Sequence, residues 1–473
     1  MIPRWAAAAS AALIVFVSAT VPVWAMDASP SPDVLVVGGT PAGVAAAVAA
    51  ARRGETVELV AQRPVLGGVL TDAMMDQWDL NMTPRGTASV EGGIFREIYA
   101  ALGDSFTPDD AARVLGNLVA AEPRIRVVTG AAPIGVVTAA ATGLERRVES
   151  VTFAGLHDRP PFSVAAPFVI DATDDGDVAA LAGARYDLGR QDTGRDTLMQ
   201  PVTLMFTLTG VSWPSVERTY RKQRFGPGGA TDRRAWGYGT LMKRYWPLSD
   251  DVVVRDLNFG HEDGGSVTVN AIDVLGIDAV QPGELERARR ISEDETPRLV
   301  AFLRANVPGF ENARIGRYAD AIYVRETRHF IGIERLTSDD IWSGKIPADT
   351  IGLSSYPLDL HPVTANDRPA YAPVRHVYGV PFGTLVPRDF ENLILASPAI
   401  SASHIASGSA RVIPTTIEEG EAAGAAAAQA QLHHLTFLEL ATSLPQIAAL
   451  RDDLRDHGAI FAPDPRDDVA LGR

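Results

Sequence analysis

The chain has 473 residues, a formal net charge of −15 and a pI near 5.1. That acidic balance argues against a nucleic-acid partner, and the length suffices for two domains around a large core. There is no cysteine, which excludes disulfides, thiolate metal sites and a dithiol redox centre, so redox chemistry here requires a bound cofactor.

Arg4 and the amino terminus precede an almost wholly apolar run at 5–23, and Val23-Trp24-Ala25 meets the small-residue rule for cleavage. The pattern predicts a signal peptide at 1–25, a linker at 26–32 and an exported protein, periplasmic or secreted. The run is also long enough to span a bilayer, so an uncleaved anchor is the alternative. No later apolar run is that long, so no membrane association is expected after cleavage. There is no twin-arginine pair, so a cofactor would be acquired after export.

Asp33-Val-Leu-Val-Val-Gly-Gly-Thr-Pro-Ala-Gly43 joins a β-branched strand at 34–37 to a Gly turn, and an Ala-rich helix follows at 44–53. A strand, a tight turn and a helix N-terminus make a pyrophosphate site. The helix end offers unpaired N–H groups and partial positive charge, and glycine lets phosphate approach the backbone. Gly38 and Gly43 meet the Gly-x-Gly-x-x-Gly pattern, with Thr40 in its middle place. A Gly-Gly-Thr turn is tolerated if the Thr40 side chain points away. A second strand at 55–60 completes a βαβ unit.

Leu66-Gly67-Gly68 is a second Gly-rich loop, and residues 92–98 begin an amphipathic helix. A strand at 124–129 precedes three small antiparallel strands at 135–138, 147–153 and 162–165. Ala166-Pro-Phe-Val-Ile-Asp-Ala-Thr173 is another buried strand. It ends in the acidic turn Asp174-Asp175-Gly176-Asp177, where Asp177 is placed to cap a helix at 178–183. The four acids Asp171, Asp174, Asp175 and Asp177 lack the alternating spacing of a calcium loop, and no metal site is assigned.

From about 187 to 385, apolar runs give way to aromatics, Pro and charge, with a strand at 267–271 among helices such as 282–306. The aromatics Trp236, Tyr238, Tyr245, Trp246, Tyr356 and Tyr371 read as core or as a stacking surface. Alternating α/β pattern then returns, with a buried strand at 392–396 and an Ala-rich helix at 415–432 entered through Pro414. The expected fold is α/β: a Rossmann-like domain split in sequence (33–186 and 386–463), an inserted α+β substrate domain (187–385) and a frayed tail at 464–473.

Four separated segments resemble one family. They are Val36-Val-Gly-Gly-Thr-Pro-Ala-Gly43 with Leu66-Gly-Gly68, Val169-Ile-Asp-Ala-Thr-Asp-Asp-Gly-Asp177, Arg325-Glu-Thr-Arg328, and Ile400-Ser-Ala-Ser-His-Ile-Ala-Ser-Gly-Ser-Ala-Arg-Val-Ile-Pro-Thr415. In this order they are similar to the FAD-dependent oxidoreductases of the glutathione-reductase-like flavoprotein superfamily, in a bacterial branch partly labelled xanthan-lyase-like. The resemblance implies FAD as the cofactor. It implies contacts from Gly38, Gly39, Thr40, Ala42, Gly43, Gln62, Gly67, Gly68, Asp171, Ala172, Thr173, Asp177, Thr415 and Thr416. The helix that opens at Thr415 then points its N-terminus at the flavin ring. The chain departs from the family at Thr40, at Ala61, where an acid usually holds the adenosine ribose, and at Ala396-Ser397-Pro398, where Ala-Gly-Arg is usual.

Flavin oxidation needs a substrate C–H over N5 and often a base for a neighbouring proton. His404 is the first candidate by motif and His329 the second, each with a structural histidine as the alternative. Arg411, Arg328 and Arg325 are candidate clamps for a substrate carboxylate, each with a salt bridge as the alternative. The expected function is an FAD-dependent oxidoreductase that exchanges a hydride between flavin N5 and a small organic substrate, with a separate electron acceptor. Two alternatives stay open: a dinucleotide-binding protein that has lost catalysis, and a flavin-assisted carbohydrate lyase or hydrolase.

Overall fold

The computed structural model describes residues 31–463 except 85, 87, 142–144, 157–158, 263 and 368–369. The expected signal peptide, residues 26–30 of the linker and the tail at 464–473 lie outside the described residues.

Strand β1 (Val34–Val37) is buried at every position, as a parallel strand covered on both faces must be. It forms the centre of a five-stranded parallel sheet with β2 (Val57–Ala61), β3 (Ile125–Thr129), β4 (Phe168–Asp171) and β5 (Leu393–Leu395), in the order β5-β4-β1-β2-β3. The strand contributed by the end of the chain thus pairs beside those of its beginning. Three antiparallel strands, Ala131–Ala140, Arg146–Gly155 and Phe162–Val164, fill the interval before β4.

Helix α1 (Pro41–Arg52) starts at the turn after β1. Helix α3 (Ile413–His433) follows β5, and between them in sequence runs α2 (Glu284–Asn306). α1 and α3 pack backbone to backbone. A Cβ on Gly420 would stand 2.1 Å from Ala42 O, and one on Gly424 would stand 2.2 Å from Ala46 O. The Ala-rich faces let the helices approach this closely, and the approach sets the N-terminal turns of both around one space.

The middle of the chain forms a six-stranded antiparallel sheet. In spatial order its strands are Gly228–Ala230, Arg234–Gly237, Leu257–His261, Val267–Asn270, Phe206–Thr209 and Arg314–Tyr318. α2 packs on it through Ala288, Leu299, Val300 and Leu303. This second core draws its buried residues from 202 to 313, whereas Phe330, Leu336, Leu358 and Tyr378 pack into the first core. The shift to aromatics, Pro and charge therefore spans a longer stretch than the second core does. Tyr238 and Tyr245 are core residues, whereas Trp246 and Tyr371 are exposed. Among the described residues no helix is long and apolar enough to cross a membrane.

Candidate functional site

The turn after β1 is built on the absence of side chains. Gly38 has φ +121°, and a Cβ there would lie 2.2 Å from Ala172 O. A Cβ on Gly43 would lie 2.0 Å from Gly38 O. Thr40 does not point idly away, as the sequence suggested. It is the N-cap of α1: its Oγ1 accepts from Gly43 N at 3.1 Å and donates to Ala172 O at 2.9 Å, tying the turn to the end of β4. The N–H groups of Gly39, Thr40 and Ala42 meet no protein acceptor among the described residues, and all three residues line one cleft. Unpartnered N–H groups at a helix N-terminus fit the pyrophosphate of a dinucleotide.

The cleft has a volume of about 430 Å³. At one end it is walled by Gln62 and Arg63, after β2. It passes Gly38, Gly39, Thr40, Ala42, Gly68, Thr173 and Asp177, and ends at Ser397, Arg411, Ile413 and Thr416. Leu285, Glu286 and Arg289 of α2 and residues 320–325 close it from the other side. Of the expected contacts, Gly43, Gly67, Asp171, Ala172 and Thr415 do not line it; they build it. Gly67 N donates to Gly39 O at 2.6 Å, which holds the second Gly loop against the first. Thr415 Oγ1 accepts from Asn81 Nδ2 at 3.1 Å.

Ala61 now has a physical reason. A Cβ on Gly39 would lie 2.7 Å from Ala61 Cβ, so the end of β2 presses against the turn and is buried. The polar side chains at that end of the cleft are Gln62 and Arg63, both exposed. Arg63 was not singled out in the sequence; its position next to Gln62 was the available signal.

The acidic turn is largely structural. Asp171 is fully buried and accepts from Thr173 N at 3.1 Å, Thr173 Oγ1 at 2.7 Å and Ala179 N at 2.8 Å. Asp177 is not the cap of the following helix. Gly176, in the left-handed region at φ 65°, holds that place, and Asp177 is the first residue of Asp177–Leu181. Asp177 instead faces Arg328, whose Nη1 lies 3.0 Å from its Oδ1 and 2.9 Å from Asp175 O. Arg328 is thereby held at the turn and does not line the cleft.

Asp174 lies in the cleft wall and is exposed. The protein crowded around its carboxyl raises its pKa to about 7, with repulsion from Asp175, Asp177 and Asp72 adding to the effect. A pyrophosphate in the same cleft disfavours the ionised form further. FAD affinity is therefore expected to fall as pH rises through about 7, because binding favours protonated Asp174. Asp174→Asn should flatten that dependence. Fluorescence titrations with FAD from pH 6 to about 8 check it, and an equal slope in both proteins would refute it.

The structure gathers His404 and His329 on one carboxylate. Glu326 Oε1 is 2.7 Å from His404 Nδ1 and 2.8 Å from His329 Nε2, and Glu326 Oε2 accepts from Gln200 N at 2.9 Å. Neither histidine lines the cleft, although Arg325, one residue from Glu326, does. Both histidines join distant segments through a buried acid. Of the candidates for chemistry, Arg325 and Arg411 reach the cleft wall.

Around Arg411 the structure brings together residues that sequence spacing did not mark. Arg411 Nη1 donates to Tyr323 Oη at 2.7 Å, and its Nη2 is 3.6 Å from Asp359 Oδ2. His361 stands between two acids, with Nδ1 2.6 Å from Asp273 Oδ2 and Nε2 3.4 Å from Asp359 Oδ2. Arg325 Nη2 is 3.3 Å from Asp273 Oδ1, and its guanidinium lies 4.8 Å from the centre of the Tyr323 ring, closing a circuit back to Arg411. Burial opposes the charge of Asp273, but His361 and Arg325 outweigh it and hold the carboxyl at about 2. Asp359 is likewise held low against its burial, by His361 and then Arg411. The one signal in the sequence was the i, i+2 spacing of Tyr323 and Arg325, which places them on one side of an extended segment.

A parallel sheet with a dinucleotide turn and a cleft running from one helix N-terminus to another defines a nucleotide-binding α/β protein. The FAD dependent oxidoreductase family matches the chain over residues 33–454, and the chain belongs to that family. Its cofactor is FAD. No curated protein matches the chain. Among solved structures it is similar to a geranylgeranyl bacteriochlorophyll reductase-like protein from Thermoplasma acidophilum, at 12% identity and a TM-score of 0.44, covering 90% of this chain and 83% of that one. It is also similar to the p-nitrophenol 4-monooxygenase of Pseudomonas putida DLL-E4, at 12% identity and a TM-score of 0.42, covering 92% and 91%. A third is the flavin-dependent brominase Bmp2, at 9% identity and a TM-score of 0.43, covering 89% and 83%.

Proposed function

We propose that the protein exchanges a hydride between FAD and a small organic substrate held at the α3 end of the cleft, and passes the electrons to or from a separate small acceptor. The observation that carries this reading is the cleft itself. It runs past the free N–H groups of Gly39, Thr40 and Ala42 and is lined further on by Arg411, Tyr323 and Thr416. Bound FAD supplies a two-electron centre at its N5. The chain supplies the rest: the α1 N-terminus takes the pyrophosphate, Gln62 and Arg63 face the adenosine end, and the α3 N-terminus lends partial positive charge to the other end. The circuit of Arg411, Tyr323, Arg325, Asp273, His361 and Asp359 fixes that end of the cleft, which preorganises it for binding.

The test is an anaerobic screen of small organic compounds against the FAD-loaded protein, read as bleaching of the flavin absorbance. At least one compound class should bleach it, with colour returning on addition of an acceptor. A flavin that no donor bleaches, and that no acceptor re-oxidises after chemical reduction, would favour a protein that binds FAD without turning over.

A further inference from the structure

Of the three arginines that could hold a substrate anion, Arg328 is fixed by Asp175 O and Asp177, away from the cleft. Arg325 lines the cleft, but its Nη1 donates to Pro201 O at 2.8 Å and Thr203 Oγ1 at 2.9 Å, and its Nη2 faces Asp273. Arg411 differs. Its nearest carboxylate oxygen, on Asp359, is 3.6 Å away, its Nε has no hydrogen-bond partner, and Asp79 also acts on its charge, so no carboxylate holds its fork directly.

Its contact with Tyr323 fixes a direction. A guanidinium has only donors, so the Tyr323 oxygen accepts from Arg411 and keeps its own O–H to give elsewhere. Among the described residues nothing accepts that O–H. The tyrosine is also rigidly placed. Its N donates to Thr203 O at 2.9 Å, its carbonyl accepts from Thr203 N at 3.0 Å, and the Arg325 guanidinium covers its ring. It lines the cleft with Arg411, Ile413 and Thr416, at the N-terminus of the 21-residue helix α3. A free, fixed donor flanked by two guanidinium cations and a helix N-terminus suits an acceptor that brings negative charge.

We propose that the Tyr323 hydroxyl, backed by Arg411, binds a carboxylate of the substrate, and that the substrates are small organic acids. This rests on the reading that FAD and substrate share the cleft. The acid would be anchored at its carboxylate, leaving its neighbouring carbon as the point of reaction.

The experiment uses the FAD-loaded protein and titrates acetate, propionate and benzoate, with acetamide and benzamide as uncharged controls. Binding is read as saturable perturbation of the flavin absorbance. The acids should bind and the amides should not. Tyr323→Phe should weaken acid binding by about 10-fold or more while its FAD content stays unchanged. Arg411→Lys, which keeps the charge but not the fork, should lie between the two proteins. Acids that give no perturbation, amides that bind as tightly as acids, or an equal Kd in Tyr323→Phe would each overturn the proposal. Loss of FAD from Tyr323→Phe would also overturn it, by giving the hydroxyl to the cofactor. Failure of the unaltered protein to hold FAD would instead sink the reading beneath it.

Discussion

Gly43→Ala is expected to strip the protein of FAD and to destabilise it by about 3 kcal/mol or more, the upper end of what overpacking a well-packed site costs. The added methyl would stand 2.0 Å from Gly38 O and 3.2 Å from Ala172 Cβ. The first of these is backbone in the turn itself and has no side chain to swing aside. Relief requires the start of α1 to move away from β1, and the N–H groups of Gly39, Thr40 and Ala42 move with it. Stability and FAD binding should therefore fail together. Gly116 is the matched control. It lies within Pro108–Ala120, and nothing stands within 4 Å of a Cβ there. Gly116→Ala should leave FAD content unchanged and stabilise the helix by about 0.5–1 kcal/mol. Flavin absorbance per chain after gel filtration and the unfolding midpoint check both. A Gly43→Ala protein with full FAD and a normal midpoint would contradict the turn geometry.

Glu326→Gln should have the second large effect. The carboxylate is 4% exposed and takes hydrogen bonds from His329, His404 and Gln200 N. An amide presents a donor to one of these donors and removes the charge that both histidines face. Breaking a buried interaction of this kind costs about 3–5 kcal/mol. The pH dependence separates this from a packing defect. Burial would raise the Glu326 pKa, but the hydrogen bonds from His329 and His404 outweigh it and hold it at about 2, below the 4.5 of an ordinary glutamate. A depressed acid contributes stability that is present above its unfolded pKa and is lost as pH falls through its folded one. The gap between the original protein and Glu326→Gln should thus be full at pH 7 and shrink as pH falls from 4.5 towards 2. Urea unfolding at several pH values measures it. A gap that is small at neutral pH, or that does not narrow in acid, would show that the carboxylate is not the link between these segments.

The parts legible in the sequence are those whose constraints are local. Gly43 marks the turn because Gly38 O, five residues away, forbids a side chain, Gly38 marks it by its own positive φ, and the apolar run at 34–37 reads as a buried strand. The close approach of α3 to α1 at Gly420 and Gly424 joins segments far apart in the chain, so it shows only in the fold. Thr40 was harder to read, since the oxygen it reaches belongs to Ala172, 132 residues away. Asp177 was misplaced as a cap because Gly176 adopts the left-handed conformation and takes the position. His404 looked catalytic from its place beside the last strand. What decides its role is Glu326, 78 residues earlier, and no spacing announces that pair. The circuit around Arg411 is assembled from the segments near 273, 323, 359 and 411, so only the folded chain displays it.

The most direct test of the account is to free the purified protein of flavin and titrate it with FAD, following quenching of flavin fluorescence. The account predicts saturation at one FAD per chain, with Gly43→Ala failing to quench over the same range. A chain that takes up no FAD, or a Gly43→Ala protein that binds it as tightly, would contradict the cleft between α1 and α3 as the cofactor site.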